Sequence, residues 1–338
     1  VGAGLVDIAL GADQGGSIRV PAALCGIVGL KPTFGLLPYT GIGSNDAIND
    51  HAGPLARTVM EVAECLEATA GYDGIDDRQL GACAPNQVRF SADLKAIEAS
   101  GLQGFKIGIL KEAFEMPILD ARVAQKVLTA AAMFKTLGAT VEEVSVPLHP
   151  AGNAIWTAQQ RLSGCLTMLG LTHGRRGLGL TGLEQTKLPW TQAKFDKCFA
   201  TTQNVFLNGQ YLIQHFPTIY PKALNLGRRL RDEYEAVLQE FDVLILPTTS
   251  FVARKHGIRD NTRPIEQIKP TVGLTANTVQ FNATGQPAMN LPIGRLSAED
   301  DPEIMLPVGM QIVSGLWRDN VVLRVGHVWE KNFDWKQL

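Results

Sequence analysis

The sequence predicts an α/β protein, on three observations. Phe105 to Leu110 reads as a strand; Val123, Val127, Leu128, Ala131 and Phe134 share one helical face ending near Gly138; and Thr140 to Val146 reads as a second strand. Together these make a βαβ-like unit, the hallmark of an α/β sheet. Asp242-Val-Leu-Ile-Leu-Pro247 is a short apolar run suited to a strand buried on both faces. A helix stripe of Leu230, Tyr234, Val237, Leu238 and Phe241 leads straight into it, so helix and strand alternate again.

From the start of the chain, Leu5 to Leu10 reads as a buried strand feeding a turn at Gly11. A loop-rich stretch rich in glycine, with Pro21, Pro32 and Pro38, then runs to Pro54. A helix should begin at Thr58, where Thr58 and Glu61 form a capping box and Val59, Val62, Ala63, Leu66 and Ala70 follow at helical spacing before Gly71. From about 150 to 231 the pattern is mostly helical but broken by glycines and by Pro189 and Pro217, which suggests a helical insertion over a site. Val308 to Val313 reads as a strand and about Asn320 to Lys331 as a terminal helix. The expectation is one domain over 1–338, with the insertion at about 150–231.

Composition excludes several functions. With 31 Lys plus Arg against 33 Asp plus Glu, a net charge of -2 gives no electrostatic reason for a nucleic-acid or anionic-membrane partner. No run of about 18 apolar residues is present, so no membrane-spanning helix is expected. The five cysteines, Cys25, Cys65, Cys83, Cys165 and Cys198, show no metal-binding spacing and suit a reducing cytoplasm; no metal is expected. The abrupt apolar start at Val1 suggests a C-terminal fragment of a longer chain.

The chemistry concentrates in Gly11-Ala-Asp-Gln-Gly-Gly-Ser-Ile-Arg19. Small residues around a serine let the backbone approach a ligand and aim consecutive N–H groups into one concavity, which is what the oxyanion of an acyl transfer needs beside its nucleophile. Ser17 is the candidate nucleophile. On the residues alone, the segment could equally be a structural turn or an anion-binding loop. No histidine among His51, His149, His173, His215, His256 and His327 sits in a setting that marks it as a base, and Gly15-Gly-Ser-Ile-Arg19 is not the G-x-S-x-G elbow of α/β-hydrolases.

The run from Gly11 through Ser17 and Arg19-Val-Pro-Ala-Ala-Leu-Cys-Gly-Ile-Val-Gly-Leu-Lys-Pro-Thr33 closely resembles the signature of the amidase signature family. Gly53-Pro54-Leu-Ala-Arg-Thr58, Asp242 to Thr248, Asn282-Ala-Thr-Gly-Gln-Pro-Ala288 and Leu306 to Val313 follow in family order. Gln14 and the Gly41 to His51 stretch are most similar to the nitrile-pathway amidases. The resemblance implies a mixed twisted sheet sandwiched between helices and a Ser-Ser-Lys triad with Ser17 as nucleophile. It also implies an oxyanion hole from the N–H groups of Gln14, Gly15, Gly16 and Ser17. Asp13 and Arg19 would support the loop.

The chain departs from that pattern in one respect. It has no Ser-Ser pair, and its first lysine, Lys31, follows Ser17; Lys31 reads as part of a Lys-Pro-Thr turn rather than as a base. Cys25 reads as core. Gly177-Leu-Gly-Leu-Thr-Gly182 lacks the preceding strand a dinucleotide site requires, and Trp156, Tyr211 and Phe216 could line a pocket or pack in the core. The implied activity is hydrolysis of aliphatic or aromatic monoamides to acid and ammonia, expected to need no cofactor, the partner being the small-molecule amide. The catalytic A subunit of a tRNA-dependent amidotransferase is the alternative, against which Gln14 and the absent basic stripe argue; a catalytically dead fragment is the third. A homodimer is expected only by analogy with the family.

Overall fold

The computed structural model describes residues 1–97, 101–257 and 263–338. Its strands are β1 Ile8–Asp13, β2 Val28–Lys31, β3 His51–Ala56, β4 Lys106–Leu110, β5 Thr140–Val144, β6 Val243–Pro247, β7 Ala288–Ser297 and β8 Met305–Val313. They form one eight-stranded sheet in the order β1-β3-β2-β7-β8-β6-β4-β5. β4 runs parallel to β5 and to β6, and the other pairings are antiparallel. The expected βαβ unit is present: β4 and β5 are in parallel register from Lys106 opposite Thr140 to Leu110 opposite Val144, and the helix Ala121–Met133 lies between them in the chain.

Strand alternation divides the protein into two layers around the sheet. Val28, Leu30, Val243, Ile245, Met289, Leu291, Met310 and Ile312 point into one core with the helices Val59–Thr69, Ala121–Met133 and Asp319–Asn332. Leu244, Leu246, Ala288 and Val313 point the other way, toward Ile155, Leu230, Tyr234 and Phe281 of the helices Gly152–Met168, Ile219–Val237 and Val279–Thr284. The fold is thus a mixed sheet between helices. The capping box of the Thr58 helix forms in both directions, an arrangement whose loss costs about 1 kcal/mol.

On the second face the short helix Arg19–Cys25 lies unusually close to the sheet. A Cβ on Gly29 would meet Ala22 Cβ at 2.7 Å, and one on Gly309 would meet Ala23 Cβ at 2.6 Å. Glycine on β2 and on β8, facing alanines on the helix, therefore sets the depth at which Arg19 is buried.

Several local expectations differ. The first strand is Ile8–Asp13, not Leu5 to Leu10, and it is an edge strand paired with β3 alone, so Leu5 and Leu10 are exposed. The stretch expected as loop to Pro54 holds a helix and two strands, β2 and most of β3. Both strands are almost wholly buried and so carry no polar-apolar alternation. Cys25 is exposed rather than core, because Ala22 and Ala23 occupy the sheet-facing side of its helix. Tyr211 and Phe216 are about half exposed, on the helix Ala200–His215 and at its end, and so are not core. The Gly177 to Gly182 segment follows irregular chain, not a strand.

Candidate active site

β1 delivers Asp13 to the start of a turn that ends in the helix Arg19–Cys25, and Ser17 stands exposed on that turn. Beneath it, the Asp13 carboxylate accepts five hydrogen bonds: Gly16 N–H at 2.6 Å, Ile18 N–H at 3.2 Å, Arg19 Nε and Nη2 at 3.0 Å each, and Asn282 Nδ2 at 2.9 Å. Burial alone would raise the Asp13 carboxyl, but the Arg19 guanidinium and the Asn282 amide hold it well below the usual carboxylate range.

Arg19 spends all five of its N–H groups inside the protein. Besides Asp13 it donates to Asn282 Oδ1 at 2.6 Å, to Thr278 O at 2.9 Å and to Gln311 Oε1 at 2.8 Å. Both ions are fully buried, so they form a closed, fully bonded pair under the turn. Asp13 and Arg19, expected to support the loop, are in contact with it.

Four consecutive carbonyls of the turn are each held by a separate donor. Asp13 O accepts from Asn282 Nδ2 at 2.8 Å and Gln14 O from Trp156 Nε1 at 2.6 Å. Gly15 O accepts from Thr278 Oγ1 at 2.7 Å, and Gly16 O from Val20 N–H at 2.7 Å. Of the four amides the family resemblance places in the oxyanion hole, that of Gly16 is engaged by Asp13. The N–H groups of Gln14, Gly15 and Ser17 have no protein acceptor among the described residues. Such a set beside a hydroxyl can hold the oxygen of a tetrahedral adduct.

Ser17 Oγ makes no hydrogen bond to any described residue, and no described histidine reaches it. His51 lies opposite Asp13 in the β1–β3 register, with Nδ1 on Asn49 O. Burial, aided by Lys31, depresses its pKa well below the ordinary imidazole value. Lys31 is itself buried on β2, its Nζ donating to Pro32 O at 3.0 Å. Burial and the Arg19 charge push its ammonium well below the usual lysine range.

The Gln14 side chain bonds outside the turn. Its Nε2 donates to Tyr39 Oη at 2.8 Å, and Tyr39 is one of the residues lining a cavity of about 650 Å³, together with Ile42, Met168, Leu178, Leu180 and Leu183; neither Gln14 nor Ser17 is in its wall. The charges in its wall are paired. Arg78 binds Asp50 at 3.2 Å and Asp76 at 2.9 Å, Arg175 binds Asp76 at 2.9 Å and also Asp77, and Lys187 binds Glu184 at 2.7 Å. Among the described residues no cluster of three or more His, Cys, Asp or Glu could hold a metal ion, and no helix is long and apolar enough to cross a membrane.

Sequence reasoning does not single out Thr278, Gln311, Asn282 or Tyr39 as site residues. Asn282 and Gln311 lie in blocks that carry the resemblance, so a signal for them exists; Thr278 and Tyr39 carry none.

The family profile described as Amidase matches residues 1–323. The glutamyl-tRNA(Gln) amidotransferase A subunit of Microcystis aeruginosa is 32% identical over 97% of this chain and 64% of its own length. An enantioselective amidase of Rhodococcus rhodochrous is 32% identical over 96% of this chain and 61% of its own. The crystal structure of the glutamyl-tRNA(Gln) amidotransferase A subunit of Thermotoga maritima superposes with a TM-score of 0.71 at 26% identity, over 98% of this chain and 63% of that one. The chain therefore spans a little under two thirds of the length of these relatives.

Proposed function

We propose, from the premise that this chain belongs to the amidase family, that it carries the nucleophile of an enzyme hydrolysing neutral carboxylic amides to acid and ammonia. Ser17 Oγ adds to the amide carbonyl carbon. The resulting oxyanion is held by N–H groups of Gln14, Gly15 and Ser17, the C–N bond breaks, and nitrogen leaves as ammonia once protonated. Water then adds to the Ser17 ester, and the acid departs as the serine oxygen regains its proton. The observation that carries this reading is an exposed serine hydroxyl on a turn where the amides of Gln14, Gly15 and Ser17 have no acceptor among the described residues while the carbonyls of Asp13 to Gly16 are each held.

The cavity next to Tyr39 supports a neutral acyl group, because each arginine or lysine in its wall already has a carboxylate partner. Its size suits a small organic substrate. The family resemblance assigns the proton acceptor to a lysine upstream of the nucleophile, acting through a bridging serine. With neither before Ser17 in the 338 residues, this chain by itself is expected to release ammonia barely or not at all; robust turnover by it alone would refute that part.

The relatives named as amidotransferase subunits keep a second reading in play, in which the ammonia is passed to a partner. Ammonia release from a panel of aliphatic, aromatic and acidic amides, by the full-length gene product and its Ser17→Ala variant, separates the two. Activity on neutral amides that vanishes in the variant supports hydrolysis. Inertness toward free amides, with copurifying partner subunits, supports the amidotransferase.

A further inference from the structure

We infer that Trp156 and Thr278 are positioning residues that fix the two peptides flanking Gly15, Trp156 aiming the oxyanion-binding Gly15 N–H and Thr278 locking the next peptide, with its N–H on Asp13, so that the helix Gly152–Met168 and the Thr278 turn set the reactivity of the serine without touching substrate. The inference rests on the reading of Ser17 as nucleophile. In a trans peptide the carbonyl of one residue and the N–H of the next point in opposite directions. Holding a carbonyl therefore orients the following amide.

Trp156 Nε1 on Gln14 O orients the Gly15 N–H, and Thr278 Oγ1 on Gly15 O orients the Gly16 N–H, which lands on Asp13 Oδ1 at 2.6 Å. The same two side chains form the walls behind the glycines. A Cβ at Gly15 would meet the Trp156 ring at 2.6 Å, and one at Gly16 would meet Thr278 Oγ1 at 2.5 Å. Gly16 has a φ of +131°, a conformation open to glycine, and neither Gly15 nor Gly16 carries a Cβ to restrict the peptides it joins. Besides Asp13 on the Gly16 N–H, these peptides are held by two donors that lie 142 and 263 residues away in the chain. Preorganised donors matter to catalysis because they need not turn when charge develops.

The test is kinetic and uses the full-length gene product. Thr278→Val keeps the shape and removes the donor; Thr278→Ser keeps the donor. Trp156→Phe keeps a ring against Gly15 and removes the N–H. Thr278→Val and Trp156→Phe should each lower kcat by about ten- to a hundredfold, with KM within about threefold, and should weaken phenylboronic acid by a similar factor, since its boron becomes tetrahedral and anionic on taking up the serine oxygen. Thr278→Ser should stay within about threefold of wild type in kcat. If Thr278→Val matches Thr278→Ser, or if the losses fall on KM alone, the positioning role is overturned while an inert Ser17→Ala leaves the nucleophile in place. Turnover by Ser17→Ala would overturn both readings together. Should Thr278→Val fail to fold, Trp156→Phe and its boronic acid affinity decide the matter.

Discussion

Replacing Asp13 by asparagine tests the ion pair under the Ser17 turn most directly. The carboxylate meets donors on both oxygens: Oδ1 accepts from Gly16 N, Arg19 Nη2 and Asn282 Nδ2, and Oδ2 from Ile18 N and Arg19 Nε. An asparagine amide has one acceptor oxygen and one NH₂. Whichever way it is turned, the NH₂ faces N–H groups, and the fully buried Arg19 loses its counter-charge. Leaving one member of a buried pair unpaired costs about 3–5 kcal/mol. With an unfolding entropy of about 2 cal/mol/K per residue, a chain of this length loses about 4–7 °C in Tm for that cost. The assay is thermal and urea unfolding of this chain and its Asp13→Asn variant. Asp13 is held below the usual carboxylate range, so its contribution is present above the unfolded pKa of about 4 and is lost only as pH falls through the folded value. The difference between the two proteins should therefore be flat from pH 5 to 8. A Tm within 1 °C of wild type, or a difference that grows steadily across that range, would refute the reasoning.

Two further outcomes follow from buried groups elsewhere on the same face. Burial lowers the His149 pKa from 6.5 to about 4, so the stability it contributes is present above pH 6.5 and lost as pH falls through about 4; wild type should lose about 2–3 kcal/mol relative to His149→Gln between pH 7 and 4.5, read from urea midpoints, and parallel curves would sink the idea. Gly309→Ala places a Cβ 2.1 Å from Asn290 Oδ1 and 2.6 Å from Ala23 Cβ, which should cost about 1–3 kcal/mol and displace the Arg19 helix; an unchanged melting curve would show that this helix has room to move.

What is legible in the sequence divides by range. The parallel β4–β5 unit, β6 and the Thr58 helix are each specified by neighbours within a few residues, through apolar spacing or a capping box, and each is found near its expected place. β2, β3 and β7 escape recognition because strands buried on both faces show no alternation, and Gly29, Gly53, Pro54 and Pro292 look locally like turn residues. The Ser17 turn is readable as a concave run of amides because glycine and serine are adjacent in the chain. Which amides are free is not readable: Gly16 donates to Asp13 three residues earlier, and the carbonyls are held by Trp156, Thr278 and Asn282, whose proximity exists only after the sheet and its second layer have formed. Lys31 shows the same limit, since nothing local distinguishes a lysine at a turn from one buried on a strand beside Arg19 and Asp13.

A buried arginine–aspartate pair is a costly way to fill a protein interior, and apolar residues of similar volume often give equal or greater stability. Its location gives it a different use. Asp13 accepts the amides of Gly16 and Ile18, the residues on either side of Ser17, and Arg19 holds Asp13 from the first position of the helix that follows. An apolar pair could pack there but could not fix the peptides that flank the serine. The other Arg19 bonds reach Thr278 O, Asn282 Oδ1 and Gln311 Oε1, and the Thr278 and Asn282 side chains in turn hold the carbonyls of Gly15 and Asp13. One guanidinium thus connects both ends of the Ser17 turn to the Thr278–Asn282 segment, which holds the carbonyls of Gly15 and Asp13. Arg19→Lys keeps the charge but offers three donors from a single nitrogen in place of five in a planar fork. It cannot serve Asp13, Asn282, Thr278 and Gln311 at once. Arg19→Lys should therefore retain the fold better than Asp13→Asn yet lower kcat by about tenfold or more in the full-length gene product; wild-type kcat in Arg19→Lys would reduce the network to a packing device.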